Sequence, residues 1–593
     1  MARKLPHRDV VIIGLGWTGS ILAHELAQEG LDIVAIERGP WRDTPTDFPL
    51  SYVQDELRYR VRHDLFLRPA QTSLTFRNNK DQTALPVRDW GAFMLGNGVG
   101  GGGVHWNAET WRFLPTDFTL KSHVTQRYGA GFIPADMTIQ DWGVTFDELE
   151  PHYDQFEYLC GTSGTAGNLK GAIQPGGNPF EGARSRPYPT PAQRQPFSHT
   201  LFAKAAAEMG YKPFPQPSGN LSQAYTNPLG VRMGPCTYCG FCEWFGCANY
   251  SKASPQTTIL PALLRFPNFT ARSECEVTRI NLDRSGKRAT GVTFVDTSGV
   301  EWEQPADLVI LCAFQLFSVQ LLMLSGIGKI YDPSTGDGQI GRNFSHQTIS
   351  TAIGFFDKDK FNFNPFVASG AIGMCIDEFN GDNFDHGPHG FIGGGYMGQV
   401  QTGGRPVDML KALPEGTPAW GAKWKQAVRD NYLSTVYAGT GVHGSCQSYR
   451  SNHLDLDPTY KDRFGRPLLR MTMDFPENEL KMSAFLTDRY AEIIKAMGAR
   501  QVDKKPRKGP YDVTQYQTSH LCGGAIMGVT PKESALNRYM QSWDVPNLFV
   551  QGAAAFPQNA GYNPTGTVGA LAFWSAAAIR SSYLKNPGPL VDA

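Results

Sequence analysis

The chain has 593 residues, 41% apolar and 12% aromatic, which excludes a disordered chain and allows two or three domains around a large core. Lys plus Arg and Asp plus Glu both total 55, so no global field draws nucleic acid or an anionic membrane surface. Ten cysteines are too few for a disulfide scaffold, yet four of them crowd into Cys236–Cys247. The opening MARKLPHRD runs directly into VVIIGLG, which reads as a first strand rather than a cleavable leader. Asp9–Ile13 is an unbroken apolar run expected of a strand buried on both faces. Gly19–Gln28 has helical spacing, and Asp32–Ile36 reads as a second strand. Residues 136–225 are rich in Pro, Gly and Ser and offer few periodic segments. Leu308–Gly328 is long and charge-free enough to suggest a membrane span. It carries Gln315, Ser318, Gln320 and Ser325, however, and divides into a strand, a turn and a short helix, so core is expected. Residues 346–504 mix short alternating strands with loops and one amphipathic helix near Glu479–Met497. After Pro564 a helix rich in small residues closes the chain. There is no internal repeat.

Gly14-x-Gly16-x-x-Gly19 follows the first strand and opens the first helix, and Glu37 closes the second strand. That context turns a weak motif into a dinucleotide fingerprint. Gly14 permits the tight turn, Gly16 the approach of a pyrophosphate to the helix N-terminus, and Gly19 close helix–strand packing. Glu37 suits a ribose diol and disfavours a 2′-phosphate. The motif does not distinguish NAD from FAD.

Motifs farther along make that distinction. GNGVGGGGVHWNAETWR, ECEVTRINLDRSGKRATGVTFVD, LVILCAFQLFSVQLLMLSGIG, GRNFSHQ, SHLCGGAIMG and GYNPTGTVGALAFWSA occur in this order. Their succession resembles the glucose–methanol–choline (GMC) family of FAD oxidoreductases over most of the chain. The resemblance implies an α/β fold: a Rossmann-like FAD-binding domain assembled from separated segments, with a second, sheet-containing substrate domain. FAD-binding segments are expected at 1–135, 226–345 and 505–593, a cap region at 136–225, and the substrate domain at 346–504. Flavin contacts are implied at Gly14, Gly16, Gly19, Glu37, Gly100, Gly101, His105, Trp106, Asn107, Val277, Gly552, Ala553, Pro564 and Thr565.

His520 and Asn563 match the family's catalytic His and its His-or-Asn partner. Alcohol oxidation removes a hydride from carbon while a base takes the hydroxyl proton, and a neutral imidazole suits that task near pH 7. Asn563 would hold the hydroxyl oxygen and turn the C–H toward flavin N5. His105 stands where some members bond histidine covalently to the flavin; a non-covalent contact and a structural role are the alternatives.

Cys236, Cys239, Cys242 and Cys247 are spaced more like an iron–sulfur run than a zinc site, although the last interval is one residue longer than in bacterial ferredoxins. Zinc and plain thiols are the other readings. Within the family, the chain as a whole resembles the flavoprotein subunits of bacterial membrane-bound gluconate 2-dehydrogenase and related sugar and polyol dehydrogenases, which carry a cysteine cluster in this segment with a different spacing. That resemblance implies a 3Fe–4S cluster relaying electrons to a multihaem cytochrome c subunit, and a small subunit that carries the export signal. It also implies residence on the periplasmic side of the inner membrane through those partners. Cys239-x-x-Cys242 is followed by Glu243, so no haem-attachment motif is present and a haem would sit on another chain. The substrate implied is a sugar, sugar acid or polyol, with D-gluconate to 2-keto-D-gluconate as the leading expectation. Glucose, fructose or sorbitol dehydrogenation, an O2-using oxidase, and a zinc-binding electron-transfer module are the rivals.

Overall fold

The computed structural model describes residues 2–48, 65–89, 91–401, 403, 412–431, 437–438 and 441–592. Arg8–Ile13 is an inner strand of a mixed eight-stranded sheet. Its side chains alternate between two apolar layers. Val10 and Ile12 share one with Leu22 and Leu26 of the helix Trp17–Ala27, and Val11 and Ile13 share the other with Val309 and Leu311. A strand covered on both faces has no polar side, which is why the sequence here is uniformly apolar.

The parallel part of this sheet runs in the order Phe269–Arg272, Ile33–Ile36, Arg8–Ile13, the second half of Glu301–Leu311, and Leu548–Val550. The first half of Glu301–Leu311 pairs antiparallel with Ala289–Val295, which pairs in turn with Glu276–Leu282. Pro305, with no N–H to donate, stands at the changeover from one set of partners to the other. The apolar run Leu308–Gly328 is the end of this strand followed by the buried helix Gln315–Leu324. The buried Gln315 side chain donates to the Gly523 carbonyl at 2.6 Å. Among the described residues no helix is long and apolar enough to cross a membrane.

A seven-stranded sheet forms the second unit of architecture. Gly373–Ile376, Gly395–Val400, Gly441–Gly444 and Thr348–Phe355 lie side by side and antiparallel, and Gln501–Lys505 also pairs with Thr348–Phe355. The helix Glu477–Ala496 packs on it through Met482, Leu486, Tyr490, Ile493 and Ile494. Tyr396 and His443 are register partners on adjacent strands of this sheet.

Residues 136–225 contain more regular structure than their composition suggests: helices span Phe146–Cys160 and Phe197–Glu208. The first opens with a capping box, in which the Thr145 hydroxyl accepts from the Glu148 N–H and Glu148 Oε2 from the Thr145 N–H. Leu149, Tyr153, Phe156 and Cys160 fall at helical spacing on its buried face. Pro151, inside the helix, masks that pattern in the sequence. The final helix, Thr565–Ala578, packs against Phe146–Cys160 and Trp17–Ala27. Its small residues allow the approach, since a Cβ at Gly566 would lie 2.0 Å from the Trp111 carbonyl oxygen. This contact seats the start of the helix, immediately after Asn563.

Candidate active site

A cavity of about 550 Å³ opens at the C-terminal ends of the parallel strands, where Ile13, Ile36, Cys312 and Gln551 meet it. Open α/β sheets bind ligands at this end because loops diverge there and helix N-termini point inward. Gly14 has φ +93° and a Cβ there would meet the Cys312 carbonyl oxygen at 2.5 Å. A Cβ on Gly19 would lie 2.1 Å from the Gly14 carbonyl oxygen, so this glycine lets helix and turn touch. Gly16 differs, because its Cβ would come no closer than 3.9 Å to its nearest neighbours, the Gly100 carbonyl oxygen and Gly101 Cα. Protein packing does not demand glycine at Gly16, whereas a ligand lying on the turn does. The Glu37 carboxylate is aimed by two backbone donors, Leu15 N–H at 3.0 Å and Gly39 N–H at 2.9 Å.

Trp17 Nε1, His105 Nε2, Asn107 Oδ1, Gln315 Oε1 and Gln551 Oε1 are buried along this cavity and find no hydrogen-bond partner among the described residues. Buried polar atoms left open along one wall call for a polar ligand. The donors and acceptors, the glycine turn and Glu37 together fit a dinucleotide such as FAD. Of the cofactor and catalytic residues singled out by sequence, all but Gly19 and Gly100 line this cavity, Val277, Gly552, Ala553, Pro564 and Thr565 included. Gly19 and Gly100 act behind the wall; the Gly100 N–H donates to the Leu15 carbonyl at 2.7 Å and ties the glycine-rich run to the turn. Burial, reinforced by Lys252, lowers the His105 pKa to about 3, so its ring is neutral.

His520 and Asn563 meet at the far end of the cavity, with Asn563 Nδ2 3.4 Å from His520 Nε2. A short antiparallel ladder, Ser345–His346 against Leu521–Cys522, delivers Gln347 to the same place. The two Gln347 amide hydrogens go to the carbonyl oxygens of Ala560 and Tyr562, at 3.1 and 3.0 Å. Its Oε1 therefore faces His520 Nδ1 at 2.6 Å and His443 Nδ1 at 3.4 Å as an acceptor. Nδ1 of His520 must carry the hydrogen, which leaves Nε2 bare toward Asn563. Burial, with like-charge effects from His443 and His346, holds the His520 pKa well below the usual histidine range. The site thus offers a neutral base beside an amide. Gln347, His443, Tyr396 and Glu109 have no role assigned from sequence; Gln347 ends the GRNFSHQ motif and Glu109 lies within GNGVGGGGVHWNAETWR, whereas His443 and Tyr396 carry no local signal.

The cysteine segment has a different geometry from the one its spacing suggests. Among the described residues no group of three or more His, Cys, Asp or Glu is arranged to hold a metal. Cys236, Cys239, Cys242 and Cys247 are free thiols, and as placed they do not fit an iron–sulfur or zinc site. Cys236 is 3.3 Å from the Ser369 hydroxyl and Cys247 3.4 Å from that of Ser251. A buried ammonium shapes the loop instead. Lys252 Nζ donates to the carbonyl oxygens of Trp106, Cys242 and Phe245 at 2.9, 2.7 and 2.6 Å. Glu243 and Trp244, in the same loop, line the cavity.

The GMC oxidoreductase family matches residues 189–349 and 448–572. The chain is 50% identical to the gluconate 2-dehydrogenase flavoprotein of Pantoea cypripedii, over 100% of this chain and 97% of that one. The chain belongs to the GMC oxidoreductase family. It is an FAD-dependent oxidoreductase acting on CH–OH groups. The fructose dehydrogenase large subunit of Gluconobacter japonicus is 26% identical over 98% of this chain and 99% of its own. Among solved structures, pyridoxine 4-oxidase of Mesorbium loti shares the fold with a TM-score of 0.58 at 17% identity, covering 97% of this chain and 99% of that one. A formate oxidase of Aspergillus oryzae does so with a TM-score of 0.61 at 15% identity, covering 98% and 99%.

The glycine geometry separates two roles for one motif. Gly16→Ala should fold with a parental melting curve when stripped of flavin, yet bind FAD more weakly. Gly19→Ala should be destabilised even without flavin, by about 1–3 kcal/mol, because a backbone oxygen occupies the Cβ position. Equal behaviour of the two variants in flavin titration and thermal melting would contradict this assignment.

Proposed function

We propose that this chain is the flavin-bearing catalytic subunit of a sugar-acid dehydrogenase that oxidises a secondary hydroxyl, with D-gluconate, giving 2-keto-D-gluconate, as the preferred substrate. The observation that carries the chemistry is the bare Nε2 of His520, fixed by Gln347, beside the Asn563 amide. The substrate assignment is supported by the half-identical gluconate 2-dehydrogenase flavoprotein.

The substrate hydroxyl lies between the two side chains. Asn563 Nδ2 donates to its oxygen, and His520 Nε2 accepts its proton as the carbinol carbon becomes a carbonyl. The imidazolium so formed is held through Nδ1–H to Gln347 Oε1. Bound FAD supplies the acceptor for the hydride that leaves carbon. Proton transfer of this kind contributes on the order of 10²–10⁴ in rate. Glu37 and the Gly14–Gly19 turn would hold the nucleotide half of the cofactor, and His105, Trp106 and Asn107 would contact its flavin.

The proposal extends to a small subunit bearing the export signal, a multihaem cytochrome c subunit and the periplasmic face of the inner membrane. The words "flavoprotein" and "large subunit" in the relatives' names support a multisubunit setting. The 3Fe–4S cluster that the resemblance implies on Cys236–Cys247 does not fit the thiols as placed, and no electron step is assigned to it.

Purified protein given D-gluconate and an artificial electron acceptor should reduce that acceptor, with a higher kcat/KM than for glucose, fructose or sorbitol. A preference for one of these three would replace the substrate, and O2 consumption as fast as dye reduction would replace the dehydrogenase. Iron and sulfide analysis of the same sample decides the cluster. His520→Ala should lose on the order of 10²–10⁴ in kcat while retaining its flavin. A base must be unprotonated, so activity falls as pH drops through its pKa. Because burial lowers that pKa, the acid limb of kcat/KM should lie below the ordinary histidine range. A limb at or above the ordinary histidine value would remove His520 as its source.

His105 offers a buried, neutral Nε2 without a partner among the described residues, which suits a covalent link to the flavin. Acid-precipitated parent protein should keep its flavin in the pellet, and His105→Ala should release it. Flavin that washes free of the parent leaves His105 with contact only.

A further inference from the structure

Tyr396 is fully buried between the two arms of the active site. Its ring stacks on His443 with centroids 5.0 Å apart and planes 5° from parallel. Its hydroxyl stands 3.1 Å from Asn563 Oδ1 and 2.8 Å from Oε2 of the buried Glu109. One hydroxyl hydrogen cannot serve both contacts.

The hydrogens along this chain follow from Gln347. His520 presents a bare Nε2, so Asn563 faces it with Nδ2 and turns Oδ1 toward Tyr396. Oδ1 only accepts, which places the Tyr396 hydrogen on that line. The 2.8 Å contact from Tyr396 to Glu109 then needs its own hydrogen, and the carboxyl is the group that can supply it. The other carboxyl oxygen, Oε1, accepts from Asn107 Nδ2 at 2.8 Å, as the carbonyl oxygen of a neutral acid does. Burial raises the Glu109 pKa, in the same sense.

We infer that Tyr396 and Glu109 are positioning residues: neutral Glu109 donates to Tyr396, Tyr396 donates to Asn563, and the Asn563 amide is thereby held with Nδ2 toward the substrate hydroxyl. This inference rests on the reading of His520 and Asn563 as the pair that handles that hydroxyl. Without the chain, only the 3.4 Å contact to His520 Nε2 favours nitrogen over oxygen at Asn563, and a substrate hydroxyl lying between the two side chains takes that contact's place. An oxygen there would repel the hydroxyl oxygen that it is meant to hold.

The test uses flavin-loaded enzyme and the dye-linked assay. Tyr396→Phe keeps the ring on His443 and removes only the hydroxyl. It should retain flavin and lose roughly ten- to a hundred-fold in kcat, the scale of a misoriented catalytic group. Added to Asn563→Ala, the same change should cost less than about twofold, because the two residues act as a unit. Glu109→Leu should resemble Tyr396→Phe. Glu109→Gln, whose amide can still donate to the tyrosine oxygen, should recover most of that loss. A parental kcat in Tyr396→Phe, losses that multiply in the Asn563→Ala background, or Gln no better than Leu at Glu109 would each overturn the inference. So would loss of flavin from Tyr396→Phe, since its hydroxyl is given no part in holding the cofactor. Failure of the underlying reading would register separately, as undiminished turnover in His520→Ala.

Discussion

The catalytic end of this protein depends on the orientation of one carboxamide. Gln347 gives both amide hydrogens to carbonyl oxygens of the Ala560–Tyr562 segment and its oxygen to His520. Rotating the amide by half a turn would set oxygen against two carbonyls and N–H against N–H. Each buried group left unpaired in that way costs about 1–3 kcal/mol. The same contacts fix where the segment leading to Asn563 runs and which nitrogen of His520 is bare. Tautomer and placement are thus set by one side chain, itself held in register by the Ser345–His346 ladder.

The two sheets contribute different parts of the site. Loops at the ends of the parallel strands, with Gly14 and Glu37, form a cradle suited to a dinucleotide. The antiparallel sheet supplies rigid side chains, because Tyr396 and His443 stand opposite each other on neighbouring strands and stack. Stacking fixes the tyrosine ring, and the ring carries its hydroxyl to Asn563. Strands hold such a group more steadily than a loop could.

Much of the nucleotide half is legible in the sequence because its signals are local. An apolar run, a glycine turn and a helix follow one another within thirty residues, and the structure places Arg8–Ile13, Trp17–Ala27 and Ile33–Ile36 within a few residues of the expected bounds. The helix Glu477–Ala496 is equally local. Phe146–Cys160 escaped notice because Pro151 and a Pro- and Gly-rich setting obscure its capping box. Gln347, Tyr396 and Glu109 are of another kind. Their partners lie 173, 167 and 287 residues away along the chain, in the pairs Gln347–His520, Tyr396–Asn563 and Glu109–Tyr396, so no sequence window contains the pattern. The cysteine spacing is conspicuous locally, but Lys252 and three carbonyl oxygens shape the loop, and carbonyls leave no mark in a sequence.

That buried ammonium has a mechanical consequence. It ties the backbone at Cys242 and Phe245 to the backbone at Trp106, so the loop and the cavity wall share one anchor. The anchor is a cation gripping main-chain oxygens, to which the sulfurs add long contacts such as that from the Lys252 N–H to Cys247 Sγ at 3.5 Å. Displacing the loop at Cys242 or Phe245 would therefore strain the same ammonium that holds the Trp106 carbonyl.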